Sequence, residues 1–435
     1  MTFAARLKAL GVESVMAERN AQAGDNWALR YDCMHFHVPT SVCHLPYMDY
    51  VKKLLTPYRL SKEDLASQVQ RYVKAFNLNM ITSAQIQWTE DDPSTKRWMV
   101  KFQTSAGQRT AISKHVVMAT GIGSQKMNIP SIADSHLYRG ISIRSEQYEN
   151  AEKLKEEGAK SVIIIGSANT AFDILGDCHA TGLQTTMNVR SPTYIIPLEH
   201  LDHPASLGVY DAGVERADNI FMTLPISIDA QLAHDLLAHL ASQEPDLYKA
   251  LAATGFPVLD STNPECALMQ SLIECAEEGK AGIKANVEPV AYTATGLRFS
   301  DGSHVDVDAV IWCTGFADKN VRETAIEILG GPASQASSSS QNDKNGVDDM
   351  NGEANGKHKL GPCEIAARID ATWGVDSKGA IRGLWKRQSR LDGFWVMHGY
   401  TQQHWWHSRT LALQIKAVLE GVLTAAYLDT PMSKN

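Results

Sequence analysis

The chain of 435 residues lacks several things that would place it quickly. It has no membrane-spanning run: about 18 consecutive apolar residues are needed, and the uncharged stretches around 116–125 and 219–228 are short and broken by Pro, Gly or polar residues. Cysteine is sparse and unpaired, with seven thiols and no C-x-x-C or C-x₄-C spacing. Such usage fits a reducing compartment and disfavours structural zinc or a redox-active dithiol. His35, His37 and His44, with Cys33 and Cys43, also fit no zinc spacing, so no metal is expected. Positive charge is not in excess: 41 Lys and Arg against 49 Asp and Glu leave a net charge of −8, with no general attraction to nucleic acid or anionic lipid. No G-x-S-x-G elbow or Ser-His-Asp order supports hydrolase chemistry, and no internal repeat is visible. The start, MTFAARLKALGVESV, has neither a long apolar core nor a small-residue cleavage pattern. It predicts no secretory signal and a cytoplasmic protein.

What is present begins with SVIIIGSANTAFDILGD, residues 161–177. Val162–Ile165 is a continuous apolar run of the kind that forms a buried parallel strand. The turn Gly166-Ser167-Ala168-Asn169-Thr170-Ala171 then opens a helix. In a dinucleotide-binding turn the first small residue permits a tight bend, the second lets a pyrophosphate approach the backbone, and the third lets helix and strand pack closely. Gly166, Ala168 and Ala171 stand in those places, and the helix N-terminus would hold the phosphates. A further strand, 185–189, ends at Arg190, 24 residues after Gly166. A cation there suits a ribose 2′-phosphate, and so favours NADP(H) over NAD(H).

A second such unit is visible only in part. Phe3, Leu7 and Leu10 line one helix face, Gly11 stops it, and Ser14–Ala17 reads as a strand tipped by Glu18. That is the latter half of a βαβ unit, with Glu18 the acid for an adenosine ribose without a 2′-phosphate. The glycine fingerprint precedes that acid by about 20 residues, which places it at or before Met1. The expectation is therefore a first unit without its opening strand and glycine loop. Gly24 and Trp27 follow as a glycine turn and a covering ring for a flavin. ATGIGSQK, 119–126, follows a strand but runs into Pro130, so it reads as a crossing between domains with tight glycines rather than a second nucleotide turn. Thr314-Gly315, after the strand 308–312, repeats the strand-Thr-Gly device of Thr120-Gly121.

Elsewhere, 24–58 reads as pocket-lining loops, 61–79 as a helix with Leu65, Val69, Tyr72, Val73 and Phe76 on one side, and 200–280 as mainly helical, with Leu232, Leu236, Leu237 and Leu240 in period. Strands are expected near 85–89, 98–104 and 115–118. Residues 332–357, almost without large apolar side chains, read as a disordered insertion. The segment 364–397 reads as β-like, and the last helix should bury Leu411, Ile415, Val418, Leu419 and Val422. The fold expected is α/β with two Rossmann-like units: 1–155, 156–315 with a helical insertion, and a return to the first unit over 316–435.

These segments resemble the flavin-containing monooxygenases, the NADPH-using class B flavoprotein monooxygenases, in their fungal type. The likeness is carried by AARLKALGVESVMAERNAQAGDNWALRYD, VVMATGIGSQKMNIPSI, IIIGSANTAFDI with Arg190, VIWCTGF and the stretch from IDATWG to LALQIKA. The family fingerprint F-x-G-x-x-x-H-x-x-x-F/Y would fall on Tyr138, Gly140, Arg144 and Tyr148, with Arg144 in place of the histidine and Tyr138 in place of the first Phe. The resemblance implies FAD and NADPH as cofactors. It also implies oxygenation of a small organic substrate by O₂ through a hydroperoxyflavin, plausibly in secondary metabolism. By family placement Glu18, Trp27, Thr120 and Gly121 would line FAD, Gln402, within Gly399–Gln402, would approach the flavin ring, and Thr314 and Gly315 would also bind cofactor. Gly166, Ala168, Asn169, Thr170, Ala171 and Arg190 would hold NADPH. No catalytic residue is assigned beyond Arg144 and Tyr148 of the fingerprint. The alternative is a non-catalytic NADP(H)-binding relic without flavin chemistry.

Overall fold

A run of β-branched residues with no polar interruption must be covered on both faces, and Ser161–Ile165 (β8) is. In the computed structural model, which describes residues 1–50, 58–121, 127–259, 271–272, 281–316, 321–332, 358–372 and 374–423, this strand lies at the centre of a five-stranded, wholly parallel sheet. Gln184–Val189 (β9) and Gly282–Ala285 (β12) continue the sheet on one side, and Ala309–Trp312 (β16) and Ile141–Arg144 (β7) on the other. The alternation of strand side chains divides the core in two. Val162 and Ile164 pack with Ala151 and Leu154 of Ala151–Glu156 (α4) and with Ala171, Ile174 and Leu175 of Asn169–Ala180 (α5). Ile163 and Ile165 pack with Tyr292, Leu297 and Phe299. Those three lie on the antiparallel sheet of Pro289–Tyr292 (β13), Gly296–Phe299 (β14) and His304–Asp306 (β15).

The first unit is assembled from both ends of the chain. Thr2–Ala9 (α1) buries Phe3 and Leu7, and Gly11 takes the left-handed backbone just beyond it. Val15–Ala17 (β1) pairs in parallel with Asn79–Ile81 (β2), after Lys62–Ala75 (α3), whose N-cap Ser61 accepts from Asp64 N. Gln85–Asp92 (β3), Arg97–Thr104 (β4) and Gly107–Ser113 (β5) form a meander. Its third strand was not anticipated, because Gln108, Arg109 and Thr110 break the apolar pattern. Val116–Met118 (β6) pairs with Leu391–Val396 (β18), itself paired with Arg387–Gln388 (β17). Thr401–Leu419 (α12) packs on α1 through a core that includes Phe3, Leu7, Met118, Phe394, Val396, Leu411 and Ile415. Among the described residues no ladder joins β1–β2 to the β6–β18–β17 sheet.

Three expectations are corrected. Residues 362–368 form a helix, Pro362–Arg368 (α11), not a strand: Pro362 opens it, Glu364 Oε2 accepts from Gly361 N at 3.0 Å, and Ile365 and Ala366 face the core. In Ile226–Gln243 (α8) the buried stripe is His234, Leu237 and Ala241. Leu232, five residues and so about 140° away from Leu237 around the helix, is 56% exposed. Val418 and Val422 are exposed because α12 ends at Leu419, with Gly421 in the left-handed region beyond it. The helical expectation over 200–280 holds for Leu198–Leu201 (α6), Val214–Phe221 (α7), α8 and Pro245–Ala253 (α9). Most of 260–280, and 333–357 of the expected insertion, lie outside the described residues. No helix among the described residues is long and apolar enough to cross a membrane.

The buried central strand should dominate stability. Ile164→Ala is expected to cost about 2–5 kcal/mol in urea unfolding. Ile112→Ala, at a 70% exposed position, should move it by less than about 0.5 kcal/mol.

Candidate functional site

The nucleotide turn stands at the carboxyl end of β8, where parallel sheets place their ligands. Gly166 has φ +129°, and a Cβ there would lie 2.3 Å from the carbonyl oxygen of Cys313, just past β16. Only glycine lets the two strand ends come this close. Cys313 N in turn donates to Ile165 O at 2.8 Å. Ala168 is the N-cap of α5 in an extended conformation and has no capping side chain. The first N–H groups of that helix, which have no intrahelical acceptor, are therefore left to an anion. Ala171 is fully buried against the sheet, as the third small residue must be. Asn169 Oδ1 is buried with no hydrogen-bond partner, an acceptor placed where a nucleotide hydroxyl or amide could donate. Thr170 lies in the first turn, and Arg190 is exposed directly beyond β9. These residues fit a pyridine dinucleotide.

The two strand-Thr-Gly segments meet. Asn128 N donates to Gly315 O at 2.9 Å, Thr314 Oγ1 donates to Asn128 O, and Met127 bridges Phe316. Gly121 and Gly315 both take left-handed φ, of 86° and 75°.

On the flavin side, Glu18 follows β1. Its N–H donates to Ile81 O, and its Oε1 accepts from Asn20 N at 2.9 Å, which leaves Oε2 for a ribose. Gly24 packs closely: at φ +87° its absent Cβ would lie 2.8 Å from Ala66 O on α3. Trp27 sits edge-on to Phe36, centroids 4.9 Å apart, within a cluster that includes Cys43, Leu60 and Leu65. Gln402 lies in the first turn of α12, but the capping side chain is its neighbour Gln403, whose Oε1 accepts from Tyr400 N. Cys43 Sγ faces Thr401 Oγ1 at 4.0 Å, so loop 40–43 meets the N-terminus of α12.

The fingerprint residues make defined contacts within the fold. A Cβ on Gly140 would collide with Asp308 O, and Tyr138 Oη donates to Val307 O. Tyr148, 3% exposed, donates to Asp177 on α5. Arg144, at the end of β7, is half-exposed and pairs with Glu146 at 2.7 Å.

Loop residues of 24–58 line a cavity of about 1090 Å³, with His44, Tyr47 and Tyr58 in its wall, and sequence reasoning missed its other walls, Tyr210, Arg216 and Trp405. It lies between loop 40–49, α12, and the 207–219 segment of the second unit. Its one signal was the aromatic and histidine density of 24–58. Nearby, Arg6 is sandwiched between the Tyr47 and Trp405 rings, at 4.5 and 5.1 Å.

Relatives can now be set beside this geometry. Residues 2–197 match the family model described as pyridine nucleotide-disulphide oxidoreductase. The chain is 24% identical over 308 residues to the probable indole-3-pyruvate monooxygenase YUCCA10 of Arabidopsis thaliana, covering 70% of this chain and 76% of that one. It is 23% identical over 322 residues to indole-3-pyruvate monooxygenase YUCCA1 of Oryza sativa subsp. japonica, covering 73% and 74%. A variant of the flavin monooxygenase of Stenotrophomonas maltophilia shares its fold, with TM-score 0.55 at 16% identity and 96% of each chain covered. So does the bacillithiol disulfide reductase of Bacillus cereus, with TM-score 0.56 at 11% identity, covering 96% and 95%. The sequence contains no C-x₄-C spacing. The chain is thus similar in sequence to flavin monooxygenases and shares the fold of one. That likeness supports FAD and NADPH as cofactors.

The entrance to α12 carries a pH signature. His404 and His407 lie against Trp385, at 5.1 and 5.7 Å, and burial pushes both imidazoles down to about 4. Unfolded histidine titrates near 6.5. Between these values the unfolded chain binds protons that the folded chain refuses, so stability is full above about pH 6.5 and falls as pH drops towards 4. Melting temperature should therefore fall from pH 7.5 to 5, and His407→Gln should flatten the dependence. A melting temperature that rises on acidification would contradict this.

Proposed function

We propose that the chain is an NADPH-dependent flavin monooxygenase that oxygenates a small organic molecule with O₂, plausibly in secondary metabolism and in the cytoplasm, where its free thiols stay reduced. One observation carries the reading: the Gly166–Ala171 turn, with its uncapped helix N-terminus, stands beside Arg190 at the carboxyl edge of a parallel sheet. When bound, FAD supplies the oxygen activation and NADPH the reducing equivalents. The protein's work is positioning. The N–H groups of Ala168–Thr170 hold the pyrophosphate, Arg190 takes the 2′-phosphate, and Glu18 accepts from the flavin-side ribose. Tyr47, Tyr58, Tyr210 and Trp405 give the cavity aromatic walls that suit a planar or apolar substrate. The relatives named for indole-3-pyruvate make an aromatic 2-oxo acid the first compound to try.

A second reading, NADP(H) binding without flavin chemistry, is favoured by one feature. No ladder joins β1 to β6 among the described residues. Two measurements decide. The purified chain supplied with FAD should turn yellow and consume O₂ in step with NADPH; a colourless protein that still binds NADP⁺ supports the second reading. In either case Arg190→Glu should weaken NADPH binding by roughly 10–100-fold, about one charge-assisted hydrogen bond, while NADH binding moves less than about 3-fold. Equal loss for both nucleotides would remove Arg190 from the site.

A further inference from the structure

The first turns of α5 are held from outside their own unit. Asp173, one turn past the helix N-terminus, accepts hydrogen bonds from Tyr31 Oη at 2.6 Å and from His37 Nε2 at 2.9 Å. Cys33 Sγ donates to the Asp173 backbone oxygen at 3.7 Å. Tyr31 is 7% exposed, and the Asp173 and His37 side chains are 15% and 13% exposed. Burial and the neighbouring Asp173 charge raise the Tyr31 pKa well above its ordinary value, so the hydroxyl stays a donor. The Tyr31 ring also meets the edge of Tyr148, which donates to Asp177 one turn further along α5.

The gripping segment is itself anchored. Asp32 N donates to Glu149 O at 2.8 Å, and the Asp32 carboxylate accepts from Asn150 Nδ2 and Lys62 Nζ, both at 2.8 Å. Beyond His37 the chain runs through Val38 to Thr40 and Ser41, which line the cavity. A single stretch of the first unit thus touches the nucleotide turn at one end and the cavity wall at the other. Packing of α5 does not need this grip, because Ala171, Ile174, Leu175 and Cys178 already bury it on its own sheet. Charge-assisted bonds to a shielded carboxylate are short and directional, which is what a positioning contact requires.

We propose that Asp173, with Tyr31 and His37 as its donors, is a positioning residue that couples nucleotide occupancy at the start of α5 to segment 31–37 and the cavity wall it leads to. This rests on the reading of the α5 turn as the NADP(H) site. A pyrophosphate on the first turn stiffens the helix within four residues of Asp173, and the two donors pass that order to the first unit.

The test uses the full chain and NADP⁺ as probe, with binding by calorimetry and amide hydrogen exchange read on peptides spanning 31–37. In the wild-type chain NADP⁺ should slow exchange there by roughly 10-fold. Asp173→Asn, and Tyr31→Phe, which removes only a hydroxyl, should bind NADP⁺ within about 3-fold of wild type yet lose most of the slowing. Slowing that persists in both variants overturns the coupling, as does NADP⁺ binding to the wild-type chain with no slowing. If NADP⁺ gives no binding isotherm with the wild-type chain, the nucleotide reading itself falls and the coupling falls with it. Should Asp173→Asn fail to fold, Tyr31→Phe alone carries the decision.

Discussion

One close approach sets the geometry of the nucleotide side: Gly166 lies against the carbonyl of Cys313 with no room for a Cβ. It brings the ends of β8 and β16 together, so that α5 leaves the sheet beside the Thr314-Gly315 arm. A side chain at position 166 would force the two strand ends apart, and the N–H groups of the first helical turn would no longer converge above the sheet edge. The buried alternation of Val162 to Ile165, which fills one core with α4 and α5 and the other with β13–β15, holds that edge rigid. The proposed site is a consequence of parallel packing and offers backbone groups more than side chains.

The two units are joined by two kinds of contact. The Asn128 N–H to Gly315 O hydrogen bond and the Met127–Phe316 bridge tie the crossing segments backbone to backbone. The Tyr31–Asp173–His37 contact ties them through buried side chains. The cavity lined by Tyr47, Tyr210 and Trp405 opens between the same units. A reaction that moves electrons between two bound nucleotides needs this fixed spacing, since an ångström of displacement is costly.

Much of this was legible in residues. The strand 162–165, the small-residue turn and Arg190 carry a local signal, because each side chain is dictated by its nearest neighbours. The strand-Thr-Gly pair and the α1–β1 half-unit were readable for the same reason. What sequence could not show depends on distant partners. Gly24 reads locally as a cofactor glycine, and its close contact with Ala66, forty-two residues on, has no local signal. Leu232 fitted the periodicity of α8, yet the buried stripe follows Leu237, because tertiary packing chose between two available faces. Tyr138 and Tyr148 stand at fingerprint positions, but their partners, Val307 O and Asp177 of α5, are not visible in the local sequence. Trp405 and Tyr210 are 195 residues apart in sequence, and nothing local announces that they share a cavity.

The central claim is that the turn at Gly166 and the cation at Arg190 hold one nicotinamide dinucleotide. A crystal structure of the chain grown with NADP⁺ tests it most directly. The account predicts the pyrophosphate within hydrogen-bonding distance of the backbone N–H groups of Ala168–Thr170 and the 2′-phosphate against the Arg190 guanidinium. A nucleotide bound elsewhere, or one whose 2′-phosphate points away from Arg190, would contradict it.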